Sequence, residues 1–239
     1  TAVHPAPLPP VPDLAAWQAR MTFIRAASRW VQVHSPSGLE GTEPEAVFTL
    51  PDESNEGSAK GARDLVLPPW SKGRYGSAIG RAVHGVLQSV DLATGDGLEA
   101  ALTSQVHAES VTEHRDVVEA LVRAALNSEL VGVAAAHEHW AETFVGTVDS
   151  DGRVLEGFVD LTFRDEQGKV TIVDYKTDAI PAGALGARTQ FYAPQLRAYA
   201  QALRDAGADV QRAVLLFLHP EGAVEREVDL GSVVSRVGA

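Results

Sequence analysis

Cysteine is absent from the 239 residues. That excludes disulfides, zinc–thiolate sites and cysteine-held iron–sulfur clusters in this chain, and it makes a reducing, cytoplasmic setting the expectation. Long apolar runs are also missing. None approaches the roughly 20 residues that span a bilayer, so no membrane partner is expected. The first residues, "TAVHPAPLPPVPD", are proline-rich rather than apolar and do not read as a secretion signal. No starting methionine is present, which leads to the expectation of a domain cut from a longer chain. An excess of positive charge is lacking too. The net charge is −12, which taken alone argues against nucleic-acid binding.

The bulk composition, 45% hydrophobic and 22% charged, is that of an ordinary α/β chain. The charge is unevenly spread. Residues 35–66 hold seven acids and two bases, and residues 91–119 hold seven acids and one base. Between them, residues 67–90 hold no acid and three bases, Lys72, Arg74 and Arg81.

Five prolines in the first twelve residues read as an extended arm. Asp13 is a reasonable cap for a helix running to about Val33, with Leu14, Trp17, Met21, Ile24 and Val31 at three- and four-residue steps. From Ser35 to Tyr75 the pattern breaks into glycine, proline and acids, a long irregular stretch for a compact domain. A second helix begins near Ser77, with Ala78, Ile79, Ala82, Val83 and Val86 on its apolar face. Two more follow at about 113–127 and 128–138, the latter capped by Ser128. The period then changes. "ETFVGTV", "RVLEGFVDLTFR" and "VTIVDYKT", separated by "DSDG" and "DEQGK", predict a three-strand meander. "PQLRAYAQALRDAG" predicts a helix with Pro194 in its first turn and Gly207 as its stop. "AVLLFLH" predicts a buried strand. The expected division is an arm and linker helix at 1–34, an irregular segment at 35–75 and one domain at 76–239.

The strand "IVDYKTD" carries an acid and a base at alternate positions, an arrangement that is costly to bury unless a partner is near. A five-residue turn symmetric about Gln167 sets Asp160 opposite Asp174 and Phe158 opposite Lys176. Period-2 alternation puts Asp174 and Lys176 on one face. Opposed carboxylates repel, but a divalent cation between them reverses the balance, and hard oxygen ligands suit magnesium or manganese. With an adjacent lysine, the set matches metal-assisted phosphodiester hydrolysis. A solvent-facing strand bearing charges by chance is the competing reading.

Four segments in order then resemble the PD-(D/E)xK nuclease superfamily, and within it the RecB-type nuclease domain at the C-termini of bacterial helicase–nucleases (the UvrD/RecB/AddA type). "GRAVH" is similar to the helix with a ligand histidine, here His84. "GFVD" resembles the G-x-x-D strand, with Asp160. "VDYKT" resembles the D-x-K strand, with Asp174 and Lys176. "QLRAY" resembles the Q-x-x-x-Y helix, with Gln195 and Tyr199. The likeness covers about residues 74–220. It implies a restriction-endonuclease-like core, a mixed central sheet flanked by helices. It implies that His84, Asp160, Asp174 and the Tyr175 backbone carbonyl bind Mg2+ or Mn2+, and that Lys176 orients or activates water. Gln195 and Tyr199 share one helix face and support the site or contact DNA. "AETFVG" resembles the acidic strand before G-x-x-D, making Glu142 a candidate whose facing is left open by one register step.

Each residue also has a plainer reading. His84 alone reads as a core or surface histidine, and Gln195 and Tyr199 as packing residues. Arg74 and Arg81 are candidate phosphate contacts or a solvated basic stretch. Trp70 and Tyr75 read as core packing or base-stacking residues. His137 and His139 diverge on a helix and read as incidental. "GSAIGRA" lacks the G-K-[ST] ending of a nucleotide-binding loop, so the chain carries no motor of its own. The resemblance therefore implies a DNA exonuclease domain, taking single strands from a helicase in the same chain or a partner, in double-strand-break repair and recombination. Its setting is the cytoplasm, in association with the nucleoid. Two alternatives stand beside it: a catalytically silent DNA-binding or docking module of the same fold, and a stand-alone PD-(D/E)xK endonuclease.

Overall fold

The computed structural model describes residues 13–27, 33–34, 78–148, 154–177 and 182–231. Helix α1 spans Leu14–Ala27, and the Asp13 carboxylate accepts the Ala15 N–H at 3.0 Å as its cap. The helix ends earlier than its periodicity predicts. Val33, expected at its end, lies in a two-residue strand β1 (Val33–His34) paired in parallel with Val154 and Leu155. β-branched valines favour that conformation, and a neighbouring strand is there to pair with. Leu14, Trp17, Phe23 and Ile24 remain exposed.

One layer is helical. α2 (Ala78–Leu87) buries Ile79, Ala82, Val83 and Val86, the face its spacing predicts. It packs with α3 (Leu98–Ala108), α4 (Arg115–Leu126) and α5 (Glu129–Ala135). Ser128 caps α5, accepting the Val131 N–H. α3 is an addition to the predicted elements. Its acids read as surface, yet Leu98, Leu102 and Val106 at four-residue steps form its buried stripe.

The sheet follows: β2 (Glu138–Val148), β3 (Val154–Arg164), β4 (Lys169–Lys176), β5 (Asp209–His219) and β6 (Gly222–Glu227). β2, β3 and β4 form the expected antiparallel meander. α6 (Leu185–Asp205) then crosses over so that β5 lies parallel to β4, and β6 returns antiparallel. The result is a mixed sheet between two helical layers, the core that the family resemblance implies. Two apolar cores separate its faces. Leu161, Phe163, Val173, Tyr175 and Leu216 turn toward α2–α5. Val145, Val159, Ile172, Leu215 and Phe217 turn toward α6. Among the described residues no helix is long and apolar enough to cross a membrane.

α6 begins nine residues before Pro194, not at it. An interior proline removes one helical hydrogen bond. The helix continues through it because Phe191, Tyr192, Leu196 and Tyr199, on both sides of the break, are buried on the sheet. β6 is likewise an addition; its alternating charges, "AVERE", suit an edge strand.

The β3–β4 turn sets the register. The Asp165 carboxylate accepts the N–H groups of Gln167 and Lys169, both at 2.9 Å, and Gly168 adopts φ 80°. Asp165→Ala removes both bonds. Its urea midpoint should fall, corresponding to a loss of about 1–2 kcal/mol, and an unchanged midpoint would show that the turn does not hold the register.

Candidate active site

The β3–β4 ladder runs from Arg164↔Val170 to Leu161↔Val173, the register symmetric about Gln167. It stops one pair short of Asp160 and Asp174. There the Asp160 side chain takes over, and its Oδ2 accepts the Tyr175 N–H at 2.7 Å. On the other side of β3 the ladder also skips a pair. Ala141↔Leu161 and Thr143↔Val159 flank an unpaired Glu142, whose φ is 49°. A left-handed glutamate within a strand is a strained conformation of the kind that collects at functional sites. The pleat slips here as well: Val159 turns to the α6 core while Leu161 turns to the α2 core. The register is the same on both sides of the skipped pair, so neither strand gains a residue; only the pleat changes phase, which re-aims the side chains there. It leaves Glu142 and Asp160 on the side of α2, which settles the open facing of Glu142.

His84, on the last turn of α2, meets them. Its Nδ1 lies 3.1 Å from Asp160 Oδ1, and the edge of its ring packs on Tyr175 with centroids 5.9 Å apart. One ligating atom from each of His84, Glu142 and Asp160 falls within 4.8 Å of the others. Asp174 lies outside this group. With Lys176 it turns toward α6, and Lys176 Nζ stands 2.7 Å from Asp174 Oδ2. That approach is close but off the hydrogen-bonding direction, so the buried oxygen has an ion pair without a well-directed bond. Lys176 also donates to Gln195 Oε1 at 3.1 Å, and Gln195 Nε2 donates to the Tyr199 hydroxyl at 3.3 Å.

The lysine sits 4.2 Å above the Tyr192 ring, a cation–π contact that holds the ammonium in a partly dry setting. Tyr192 is not among the residues that the sequence motifs single out. It precedes Gln195 and Tyr199 by three and seven positions on the same helical face, a signal visible once α6 is extended past Pro194.

The charges are strongly coupled. Burial pushes the Asp174 carboxyl up, Lys176 pulls it down and Asp160 pushes it up again, leaving it at about 6. Burial and the charge of Asp160 likewise raise Glu142. Burial works against ionisation of Asp160 too, but His84, Lys176 and the Tyr175 N–H hold it below the ordinary carboxylate range. Burial draws His84 down, yet the charge and hydrogen bond of Asp160 outweigh it and raise the imidazole. Burial, then the charge of Asp174, raises the Tyr199 phenol.

The remaining candidates lie apart. Arg81 pairs with Glu109 at 2.7 Å on α3's C-terminal flank. Arg74, with Trp70, Lys72 and Tyr75, falls outside the described residues. His137 and His139 point Nδ1 at the backbone carbonyls of Val133 and His137.

An imidazole and two carboxylates this close, with one acid strained into place, suit a divalent cation. A meander whose own strands carry the acids, Glu142, Asp160 and Asp174, beside a lysine and a histidine from a flanking helix is the core of a nuclease-type fold. The chain belongs to the PD-(D/E)XK nuclease superfamily, whose family model matches residues 62–234. It is 31% identical over 152 residues to an ATP-dependent helicase/nuclease subunit of Desulforudis audaxviator (strain MP104C). That alignment covers 56% of this chain and 12% of the relative, so the chain spans a small part of its length. The crystal structure of SSO0001 aligns over 62% of this chain and 66% of its own at 18% identity, with a TM-score of 0.32.

Glu142 and His84, both raised, hold protons that a cation bound between them would displace. Calorimetric titration with Mn2+ should therefore release protons near pH 6, and release fewer at pH 8. Affinity should fall as pH drops from 7 to 5. His84→Ala should weaken binding about tenfold or more. Binding that ignores both pH and His84 would place the cation elsewhere.

Proposed function

We propose that residues 76–239 form a divalent-metal-dependent deoxyribonuclease domain, an exonuclease hydrolysing phosphodiesters in single strands. On this reading residues 1–34 are an arm and linker helix and 35–75 a connecting segment. The strand comes from a helicase motor in the same chain or a partner protein, during double-strand-break repair and recombination in the nucleoid-associated cytoplasm. One observation carries the reading: His84, Glu142 and Asp160 converge where β3 and β4 part, while Lys176 stands at the same gap from the other face. The helicase/nuclease relative supports the link to a motor.

His84, Glu142 and Asp160 would hold the cation, Mg2+ or Mn2+, with Asp174 and the Tyr175 carbonyl as further ligands on the superfamily pattern. Once bound, the cation supplies Lewis acidity to the phosphodiester. The chain's own groups do the rest. Asp160 is oriented at both oxygens, by Tyr175 N–H and by His84. Lys176 is positioned by Asp174, Gln195 and the Tyr192 ring, so that its ammonium offsets negative charge growing on the phosphoryl oxygens. Gln195, locked by Tyr199, limits where that ammonium can go. Glu142, held with a raised pKa, is a candidate proton carrier when it is not ligating.

Lys176→Met keeps the stem on Tyr192 and removes the charge, and Asp174→Asn keeps the shape and removes the anion. Each should slow Mn2+-dependent cleavage of linear single-stranded DNA by at least about 100-fold, with unchanged far-UV circular dichroism. Both variants cutting at the unmodified rate would overturn the site. An unmodified chain that binds DNA and Mn2+ without cutting would favour the silent module. Cleavage of a circular single strand would favour the endonuclease.

A further inference from the structure

Asp160 and Glu142 each have an aromatic residue two positions away on the same strand. Phe158 and Phe144 are cross-strand partners, and their rings stand 5.5 Å apart at 63°. Val159 and Val145, beside them, turn into the α6 core. The two phenylalanines therefore face the opposite side, the one bearing the His84 group. The helices on that side pack over Leu161, Phe163, Val173 and Tyr175 and stop short of the pair. Phe144 is 59% and Phe158 54% exposed. Two adjoining phenyl rings in water are a costly use of surface, of the kind that marks a binding site.

We propose that Phe144 and Phe158 form a stacking platform for unpaired bases of the strand whose phosphodiester lies at His84, Glu142 and Asp160. The proposal rests on the nuclease reading and adds the surface that would grip its single strand. Phe144 and Phe158 each stand two residues from a member of the candidate metal group, on the same strand and the same side of the sheet. The next positions on the same face of the hairpin are Gly146, Val148, Val154 and Glu156. They offer no cation and one acid, a surface that repels phosphate. What it accepts must present a flat, uncharged face. Every base has one, and only an unpaired strand has it free, since a duplex spends those faces on its own stack. Base–aromatic stacking is sequence-tolerant and strong enough to set affinity. Substrate would thus be held by its bases at the platform and by its phosphate at the cation, a division suited to a chain of net charge −12.

The test uses the 239-residue chain carrying Lys176→Met, so that bound strands stay intact, with Mn2+ present. Fluorescence anisotropy measures affinity for a short oligothymidylate and for an abasic strand with the same phosphates. Replacing both phenylalanines by leucine keeps the apolar bulk and removes the π-faces. Oligothymidylate binding should weaken about tenfold or more, abasic-strand binding should stay as before, and the double tyrosine variant should restore the difference. Equal weakening on both strands, or none on either, overturns the platform. A dimer in sedimentation that Phe158→Ser converts to monomer would put a second copy on the pair, and also overturns it. Cleavage is assayed separately with Lys176 intact. A chain that cuts while the leucine variant binds both strands as before loses only the platform. One that discriminates the strands as expected but does not cut keeps the platform and loses the nuclease reading.

Discussion

The hydrogen bond from the Tyr175 N–H to the Asp160 carboxylate, 2.7 Å long, is the interaction on which the site depends. In an unbroken ladder that N–H would meet a backbone carbonyl of β3. Giving it to a side chain lets the two strands part without leaving a buried donor orphaned, a loss that would cost as much as the missing bond. The parting opens the gap, and the same bond fixes the carboxylate that lines it. The change of pleat at Asp160 and the left-handed Glu142 follow from this departure. Once β3 turns aside, the residue opposite on β2 loses its ladder partner and is free to swing toward His84.

Glu142 and Asp160 reach the gap from one face of the sheet, Asp174 and Lys176 from the other. His84 comes from α2 with Glu142 and Asp160 beside it; Asp174 and Lys176 lie over α6 with Gln195 behind them. That separation keeps the ammonium from neutralising Asp160 and Glu142 directly. The lysine is instead satisfied by Asp174, Gln195 and the Tyr192 ring. A buried ion pair of this sort contributes little to stability, because desolvation offsets the attraction. Its value lies in holding a charge at one point, and α6 is long enough, across Pro194, to bring Tyr192, Gln195 and Tyr199 to that point together.

Much of this is legible from residue order. The turn "DEQGK" implies its own register because Asp165 and Gly168 are the residues such a turn needs. The D-x-K alternation implies the shared face of Asp174 and Lys176, since period 2 leaves no other choice. The parts that are not legible share a physical cause: each is decided by a neighbour in space. Nothing local in "AETFVG" says that Glu142 will take a positive φ, because that follows from the skipped pair and the change of pleat on β3. Pro194 reads as a helix start, because propensity outweighs packing on paper, whereas in the fold the buried Phe191 and Tyr192 outweigh the lost bond. α3 is hidden by its acids although Leu98, Leu102 and Val106 spell out its stripe.

The coupled charges give the fold a particular dependence on pH and on the cation. Asp174 titrates at about 6 in the folded chain, above its ordinary value near 3.9 when unfolded. Between those values the folded state holds the proton more tightly. The contribution of Asp174 to stability is therefore full below about pH 4 and is lost as pH rises through about 6. Asp160, held below the ordinary range, has the opposite sign: its contribution is present above the unfolded value and disappears as pH falls. At neutral pH the fold thus carries an ionised Asp174 it would rather protonate, beside acids that repel it. A divalent cation at His84, Glu142 and Asp160 would relieve that repulsion, tying the strained glutamate, the split strands and the buried acids to the same binding event. A cation held by these groups only when the chain is folded would link its binding to the stability of the fold.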